Sequence, residues 1–370
     1  MKYLFFVLIV IHAVIHTIGF SNAFNLARFD QFAQTISRTA GVIWFLSFVL
    51  LFLTGILFWL EVEMWWVVSV IAVVLSQYLI VSFWADAKWG TIPNILIFVF
   101  TTIQFFQWNF RDKYDADVRL LLNEQSIKTN DLLLEQDIQH LPELVRKYIR
   151  YTNSIDKPKV KNFHVRFSGE IRKNENSEWM KHNSEQYSSL LSGTRLFLMT
   201  ATMKKLPVMG YHRYKSGHAS MDIKLFSIFR VQYQEGPQMD MSETVTFLND
   251  ICLMAPAALI EPIFGWGKEE GNKVEVFLSL HGIKVSAWLH FNNEGQLINF
   301  ISEDRFAYEE PDKMTQVTWS TPVSKYSEMN GYTLATEASA IYHYLSKPLT
   351  YATFRISHLD YNLQKENQLK

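Results

Sequence analysis

Two histidines, His12 and His16, stand four residues apart inside an apolar run, so a helix there stacks both imidazoles on one face. That spacing can chelate a metal or ligate a haem, and ionisable groups in such a run are functional candidates. No carboxylate shares the run, so hydrogen bonds to Ser76, Gln77 or Gln104 of neighbouring helices satisfy the same pair without a ligand. Far along the chain, Thr246, Asn249 and Asp250 form a polar strip on an otherwise apolar helix, with Arg305 expected opposite. Asp250, His290 and Arg305 are the groups an enzyme would have at hand. Yet the chain carries no phosphate-cradling glycine loop, no G-x-S-x-G, no H-E-x-x-H and no cysteine cluster. The single cysteine, Cys252, falls on an apolar helix face and excludes an intrachain disulfide. No cofactor is implied.

The elements that must position these groups fall into two unlike parts. In the first 110 residues, Tyr3–Phe20, Val42–Leu60, Met64–Phe83 and Ile92–Phe110 are apolar runs of the ~20-residue length that crosses a bilayer. Trp44, Trp59, Trp65, Trp66, Trp84, Trp89 and Trp108 cluster near their ends, as an interfacial aromatic belt requires. The first run lacks a small-x-small cleavage site and continues past Gly19, so it reads as a span and not as a signal peptide. Between the first two runs, Leu26, Phe29, Ala33 and Ile36 recur at helical spacing opposite Arg28, Asp30 and Gln34, which predicts a short helix on the membrane surface over 21–40. Residues 1–110 are thus a four-span transmembrane domain, 111–140 a charged helical linker, and 141–370 a soluble domain. The location implied is a cell (inner) membrane, multi-pass. Lys2, Arg111, Lys113 and Arg119 against Arg28, Arg38 and Lys88 tilt the soluble domain towards the cytoplasm.

The soluble part is organised around the stretch from Asp240 to Ile260. Asp240 followed by Glu243 is a capping pattern, Pro256 stops the run, and Val245, Leu248, Cys252, Phe247, Ile251 and Met254 make most of its girth apolar. On both sides the period switches to two. Phe163, Val165 and Phe167 alternate with His164 and Arg166, and about ten antiparallel strands follow over 163–171, 178–188, 195–203, 210–221, 273–281, 284–292, 296–306, 313–321, 332–345 and 351–363. Bare edges of long strands aggregate, so the sheet must curl or close. The fold class expected is α+β: a four-helix transmembrane bundle, then a curved antiparallel half-barrel closed over a central helix. A net charge of −1 gives no basic excess for nucleic acid.

IHAVIHTIGF, ISRTAGVIWF and SQYLIVSFWADAKWGTIPN resemble the membrane segment of an uncharacterised bacterial domain-of-unknown-function family. ETVTFLNDICLMAPAALI, LPVMGYHRYKSGHASM and FNNEGQLINFISEDRF resemble its soluble domain. That domain is similar to the lipoprotein-carrier (LolA-like) half-barrel, in which a curved antiparallel sheet with a helical lid holds acyl chains. The resemblance implies a fold; it implies no activity.

Three functions are compatible with these residues. In the first, a membrane-tethered half-barrel accommodates a lipid or other apolar ligand, in contact with the lipid bilayer. In the second, an enzyme acts on a lipophilic substrate at the membrane. In the third, the half-barrel docks a protein and has no ligand. For the first, the expected lining is Val245, Leu248, Ile251 and Met254 with Trp266, Trp288 and Arg305, in a mostly apolar pocket between the helix 243–255 and the strands 273–306. With four spans, reporters fused before Met1 and after Lys370 should both report the same side of the membrane; opposite sides would remove one span, the histidine-bearing first one being the weakest.

Overall fold

The computed structural model describes residues 2–27, 33–123, 131–310 and 313–364. The chain divides into two compact units, Met1–Phe110 and Arg111–Lys370.

The first unit holds α1 (Lys2–Ala23), α2 (Arg38–Trp59), α3 (Trp65–Ser82), the single turn α4 (Trp84–Ala87) and the start of α5 (Thr91–Asn123). Four helical stretches, the last running from Trp84, are long and apolar enough to cross a membrane. Their side chains are arranged inside out relative to a water-soluble bundle. Leu4, Val7, Ile11 and Val14 are exposed, whereas Ser47, Thr54, Ser69, Ser76, Asn94 and Thr101 are buried. Apolar surroundings favour that arrangement, since polar groups then find partners only inside. At Gly19 the helices approach closely: a Cβ there would lie 2.3 Å from the Trp44 ring. The surface helix expected over 21–40 is not formed by the described residues: α1 ends at Ala23, 24–27 turn, 33–37 are irregular, and 28–32 lie outside the described residues. Backbone turning after Ala23 satisfies Phe24 N–H and Leu26 N–H on the last α1 carbonyls instead.

The second unit opens on the last turns of α5. Residues 111–123, expected to be a spacer, bury Tyr114, Val118, Leu121 and Leu122, because this stretch is amphipathic and has an apolar sheet face to cover. Next come a short 3-10 turn and α6 (Glu143–Tyr151). Strands β1 (Asn162–Ile171), β2 (Met180–Ser189), β3 (Thr194–Met203), β4 (Leu206–Lys215), β5 (His218–Leu225) and β6 (Phe229–Glu235) form one meander, and α7 (Pro237–Met254) follows. The second meander is β7 (Phe264–Glu270), β8 (Lys273–Leu280), β9 (Ile283–Phe291), β10 (Leu297–Glu310), β11 (Lys313–Met329), β12 (Tyr332–His343) and β13 (Pro348–Tyr361). Among the described residues they make one 13-stranded antiparallel sheet, in the order β6-β5-β4-β3-β2-β1-β13-β12-β11-β10-β9-β8-β7.

Thirteen strands replace the expected ten or so for two reasons. Ser216 and Gly217, both at positive φ (54° and 79°), form a two-residue turn that divides 210–221 into β4 and β5. The expected strands also omit β6, although Phe229, Val231 and Tyr233 alternate with Arg230, Gln232 and Gln234, and β7, whose two glycines and charged end give no alternation.

The order explains the curvature. The chain leaves the sheet at β6, one edge, and returns at β7, the other. Thirteen strands laid flat span about 58 Å at ~4.8 Å per gap, while the 18 residues of α7 cover about 27 Å. The helix alone covers less than half of that width, and the curl of the sheet around it brings the two edges within its reach. Accordingly α7 touches β4, β5 and β6 of one meander and β9, β10 and β12 of the other.

Both ends of α7 are tied to the sheet. The helix begins at Pro237, a turn earlier than the capping pattern implied, so Asp240 is free to accept the Ala219 N–H at 2.6 Å and Glu243 lies in the interior. Phe306 N–H donates to Ser242 Oγ at 3.0 Å. At the C-terminal end, Tyr148 OH donates to Cys252 O at 2.8 Å and Tyr361 OH to Met254 O, which satisfies carbonyls that helix geometry leaves open. Leu248 is completely buried in the core beneath this frame. Leu248→Ala should therefore cost about 2–5 kcal/mol in denaturant unfolding, and the exposed Leu191→Ala less than about 0.5.

Candidate functional site

Between α7 and the concave face of the sheet lies a cavity of about 140 Å³, open on one side. Phe167, Phe197, Met199, Leu253, Met254, Phe354 and Ile356 form apolar walls. Strand alternation places them: Phe167 pairs with Ser184 and Ile356, and Phe197 with His212, so their side chains share the face towards α7.

The floor is charged. Arg195 on β3, 6 % exposed, donates through Nε to Asp250 Oδ2 at 2.7 Å and through Nη1 to Glu243 Oε2 at 2.9 Å. Gln186 Nε2 reaches the same Asp250 oxygen at 2.8 Å, and His212 Nδ1 lies 3.3 Å from Glu243 Oε1. Burial alone would raise the Glu243 carboxyl, but Arg195 first and then His212 outweigh it and hold the group at about 2. Arg305 on β10 donates to Ser242 O at 2.9 Å and to Thr246 Oγ1, with its guanidinium carbon 4.4 Å from the Trp319 ring centre. Arg195, not Arg305, is thus the direct partner of Asp250. Arg195 reaches along two turns of α7, from Glu243 to Asp250, whereas Arg305 meets Ser242 and Thr246, one turn apart.

Four polar atoms of residues that line this cavity are buried without a hydrogen-bond partner among the described residues: Gln186 Oε1, Asn249 Oδ1, Arg305 Nε and Thr321 Oγ1. Buried polar atoms are nearly always paired, so four around one space mark a place for a polar group or for water. The cavity is therefore shaped to receive a molecule with an apolar body and a polar end. Arg195, Glu243 and Asp250 engage one another, whereas Arg305 meets the neutral oxygens of Ser242 and Thr246 and the Trp319 ring.

Of the residues singled out from sequence, Met254, Arg305, Asn249 and Asp250 line the cavity. Val245, Leu248 and Ile251 are completely buried in the core. Trp266 packs partly buried against that core, and Trp288 stands on the other face of β9 under Lys273 Nζ, 4.3 Å from its ring centre. The space accordingly opens towards β1–β4 and β10–β13, and of the strands 273–306 expected to wall it only β10 contributes, through Arg305. Side chains of β8 and β9, Val274, Val276, Val285, Ala287 and Leu289, are buried in the same core cluster as α7. Arg195, Glu243 and Gln186 were missed, although Arg195 shares a strand face with Phe197 and Met199, and a charge on such a face is a legible signal. Cys252 is no nucleophile, because burial pushes its thiol up.

In the first unit, His12 and His16 do come together, their ring centres 4.8 Å apart. His16 Nε2 meets Ser76 Oγ at 2.9 Å, His12 Nε2 meets Asn94 Oδ1 at 2.8 Å, and His16 Nδ1 meets the His12 carbonyl at 2.8 Å. Asn94 and Ser76 complete a polar network between helices, with Asn94 Nδ2 donating to Gln77 Oε1 at 3.0 Å. Three of the four ring nitrogens are thereby engaged in packing, and His12 Nδ1 has no partner among the described residues.

The model of a family of unknown function, DUF6544, matches residues 131–354. The sequence matches none of the curated proteins. Among solved structures, a domain assigned to outer membrane lipoprotein sorting in Vibrio parahaemolyticus overlaps 56 % of this chain and 88 % of its own, at 12 % identity and a TM-score of 0.32. A LolA superfamily protein from Nitrosomonas europaea overlaps 61 % and 96 %, at 8 % identity and 0.33. A DUF1329 family protein from Desulfovibrio piger overlaps 63 % and 95 %, at 8 % identity and 0.31. Scores this low carry no argument about ligand or role.

The buried pairs make a pH prediction. A carboxyl held near 2 and starting from 4.5 contributes stability that is fully present above 4.5 and is lost as pH falls towards 2, on the order of 3 kcal/mol. Glu185, held at about 2 on the opposite face, titrates over the same range, so the difference between wild type and Glu243→Gln isolates the cavity group. Unfolding free energy should fall less steeply between pH 4.5 and 2 in Glu243→Gln; identical slopes would place Glu243 outside the network.

Proposed function

The chain belongs to the DUF6544 family of unknown function, and we propose that it is a membrane-tethered binding module whose curled sheet and α7 hold an amphiphile, a lipid or a similar molecule with an acidic or otherwise polar end. The binding domain in this reading is 141–370, the anchor is the four-span segment 1–110, and the site is an inner membrane with the domain on its cytoplasmic face. What carries the proposal is one juxtaposition: apolar walls and four polar atoms, unpartnered among the described residues, around the same cavity.

Magnitudes support an amphiphile over a purely apolar ligand. An engineered cavity of ~150 Å³ takes up benzene, so about 140 Å³ receives a ring or a short length of acyl chain. Burying some six methylenes at ~0.8 kcal/mol each yields roughly 5 kcal/mol, which only matches the low end of the ~4–15 kcal/mol cost of association. Hydrogen bonds donated by Arg305 Nε–H and the Thr321 hydroxyl to the polar end, and accepted by Asn249 Oδ1 and Gln186 Oε1 from it, must supply the surplus. The outward apolar surface of α1–α3 supports delivery from or to a bilayer, where such ligands are concentrated.

A dansyl-labelled fatty acid titrated into the purified full-length protein tests this. Saturable fluorescence enhancement is expected for wild type and should be abolished by Ala338→Phe, which fills the cavity, and by Met254→Arg. Arg305→Gln should weaken the acid at least tenfold while leaving the corresponding alcohol within a factor of two or three. Glu175→Ala and Lys181→Ala, away from the cavity, should bind as wild type. Equal binding by wild type and Ala338→Phe would refute the assignment.

A further inference from the structure

A second cluster lies on the convex face of the sheet, away from the cavity. His164 on β1, His358 and Asp360 on β13, and Glu185 on β2 come from adjacent strands. His164 is directly opposite Asp360, and Arg166 is opposite both His358 and Glu185, so strand register brings all four together. One ligand atom each from His164, His358 and Asp360 lies within 4.8 Å of the others. We propose that these three residues bind a zinc-class divalent cation, with Glu185 orienting His164.

The first argument is preorganisation. His164 is only 4 % exposed, and its ring stacks on Tyr187 at 4.2 Å between centres with planes 15° apart. Its Nε2 lies 2.8 Å from Glu185 Oε1. With Nε2–H donated to that carboxylate, Nδ1 keeps its lone pair, the carboxylate–histidine–metal relation found around bound zinc. Glu185 is itself fixed by Arg111 Nη2 at 3.0 Å and Arg166 Nε at 3.3 Å.

The second argument is closure. In a tetrahedral zinc site with bonds of ~2.0–2.1 Å, donor atoms stand roughly 3.4 Å apart. His358 Nε2 and Asp360 Oδ2 are 2.6 Å apart, and both side chains are about half exposed (45 % each), so they can rotate apart and towards His164. Their exposure leaves the fourth position to water. Two imidazoles with one carboxylate favour zinc and its late first-row neighbours over magnesium or calcium, which prefer all-oxygen shells. The His358–Asp360 contact is an exposed pair, and exposed ion pairs contribute little, so opening it costs little.

The experiment uses full-length protein purified in detergent without a histidine tag, stripped with a chelator, and titrated with zinc against a chromophoric competitor. Wild type should take up one equivalent. His358→Ala and Asp360→Asn, both at exposed positions, should each weaken binding at least tenfold, and Glu185→Gln by about tenfold. His12→Ala/His16→Ala should bind zinc as wild type, which separates this site from the membrane histidines. Zinc should also raise the Tm of wild type and leave that of Asp360→Asn unmoved, a readout that needs no competitor. Absence of an equivalent in wild type, or wild-type affinity in the folded His358→Ala/Asp360→Asn double variant, would overturn the proposal.

Discussion

The chain leaves its sheet at one edge and returns at the opposite edge, with a single helix and one short 3-10 turn to cover the distance. A flat sheet of this width is more than twice as broad as the helix is long, so the connection favours curling before any side chain is considered. Once the sheet curls, α7 must lie in its concavity and be buried over nearly its full circumference. The helix composition meets this demand, with Phe247, Leu248, Ile251 and Cys252 all completely buried. Its polar strip then has no water to turn to. Arg195 bridges Glu243 and Asp250 for that reason, and removing either carboxylate would leave a buried guanidinium under-compensated.

The same geometry accounts for the cavity. A helix is about 10 Å wide and cannot fill both flanks of a deeply curled sheet. On the β8–β9 flank, valines and leucines share its buried core cluster; on the β1–β3 and β12–β13 flank, alanines 335, 338 and 340 leave room. The polar strip faces that room. A cavity with small residues on one wall, aromatics on another and charges on the floor is thus a consequence of which strands carry the short side chains.

Much of this was legible in the sequence. The four apolar runs, the switch from helical to alternating period near Lys159, the burial of the 240–255 helix and its stop at Pro256 follow from spacing and composition, and the structure has each of them. Edge strand β6 was legible from the alternation of Phe229, Val231 and Tyr233 with Arg230, Gln232 and Gln234 and was missed, whereas β7, with two glycines and a charged end, shows no period. Partner choice across the sheet was not legible either: Arg195 and Asp250 are 55 residues apart, and only the register of β3 against β2 and β4 brings the guanidinium under the helix. Trp288 misled for a related reason. An aromatic on the convex side of a strand looks like cavity lining until the face towards α7 is known, and here it packs under Lys273. The convex cluster of His164, His358 and Asp360 needed β1 to pair with β13, strands from the two ends of the soluble unit.

Native mass spectrometry of the full-length protein, released gently from detergent, bears most directly on the cavity as a binding site. The account predicts that wild type carries a population heavier by one amphiphile, with a fragmentation pattern showing an alkyl or aryl body and a polar head, and that Ala338→Phe flies at the mass of the bare polypeptide. Wild type at the bare mass before and after incubation with a total lipid extract, or the same adduct on Ala338→Phe, would contradict it.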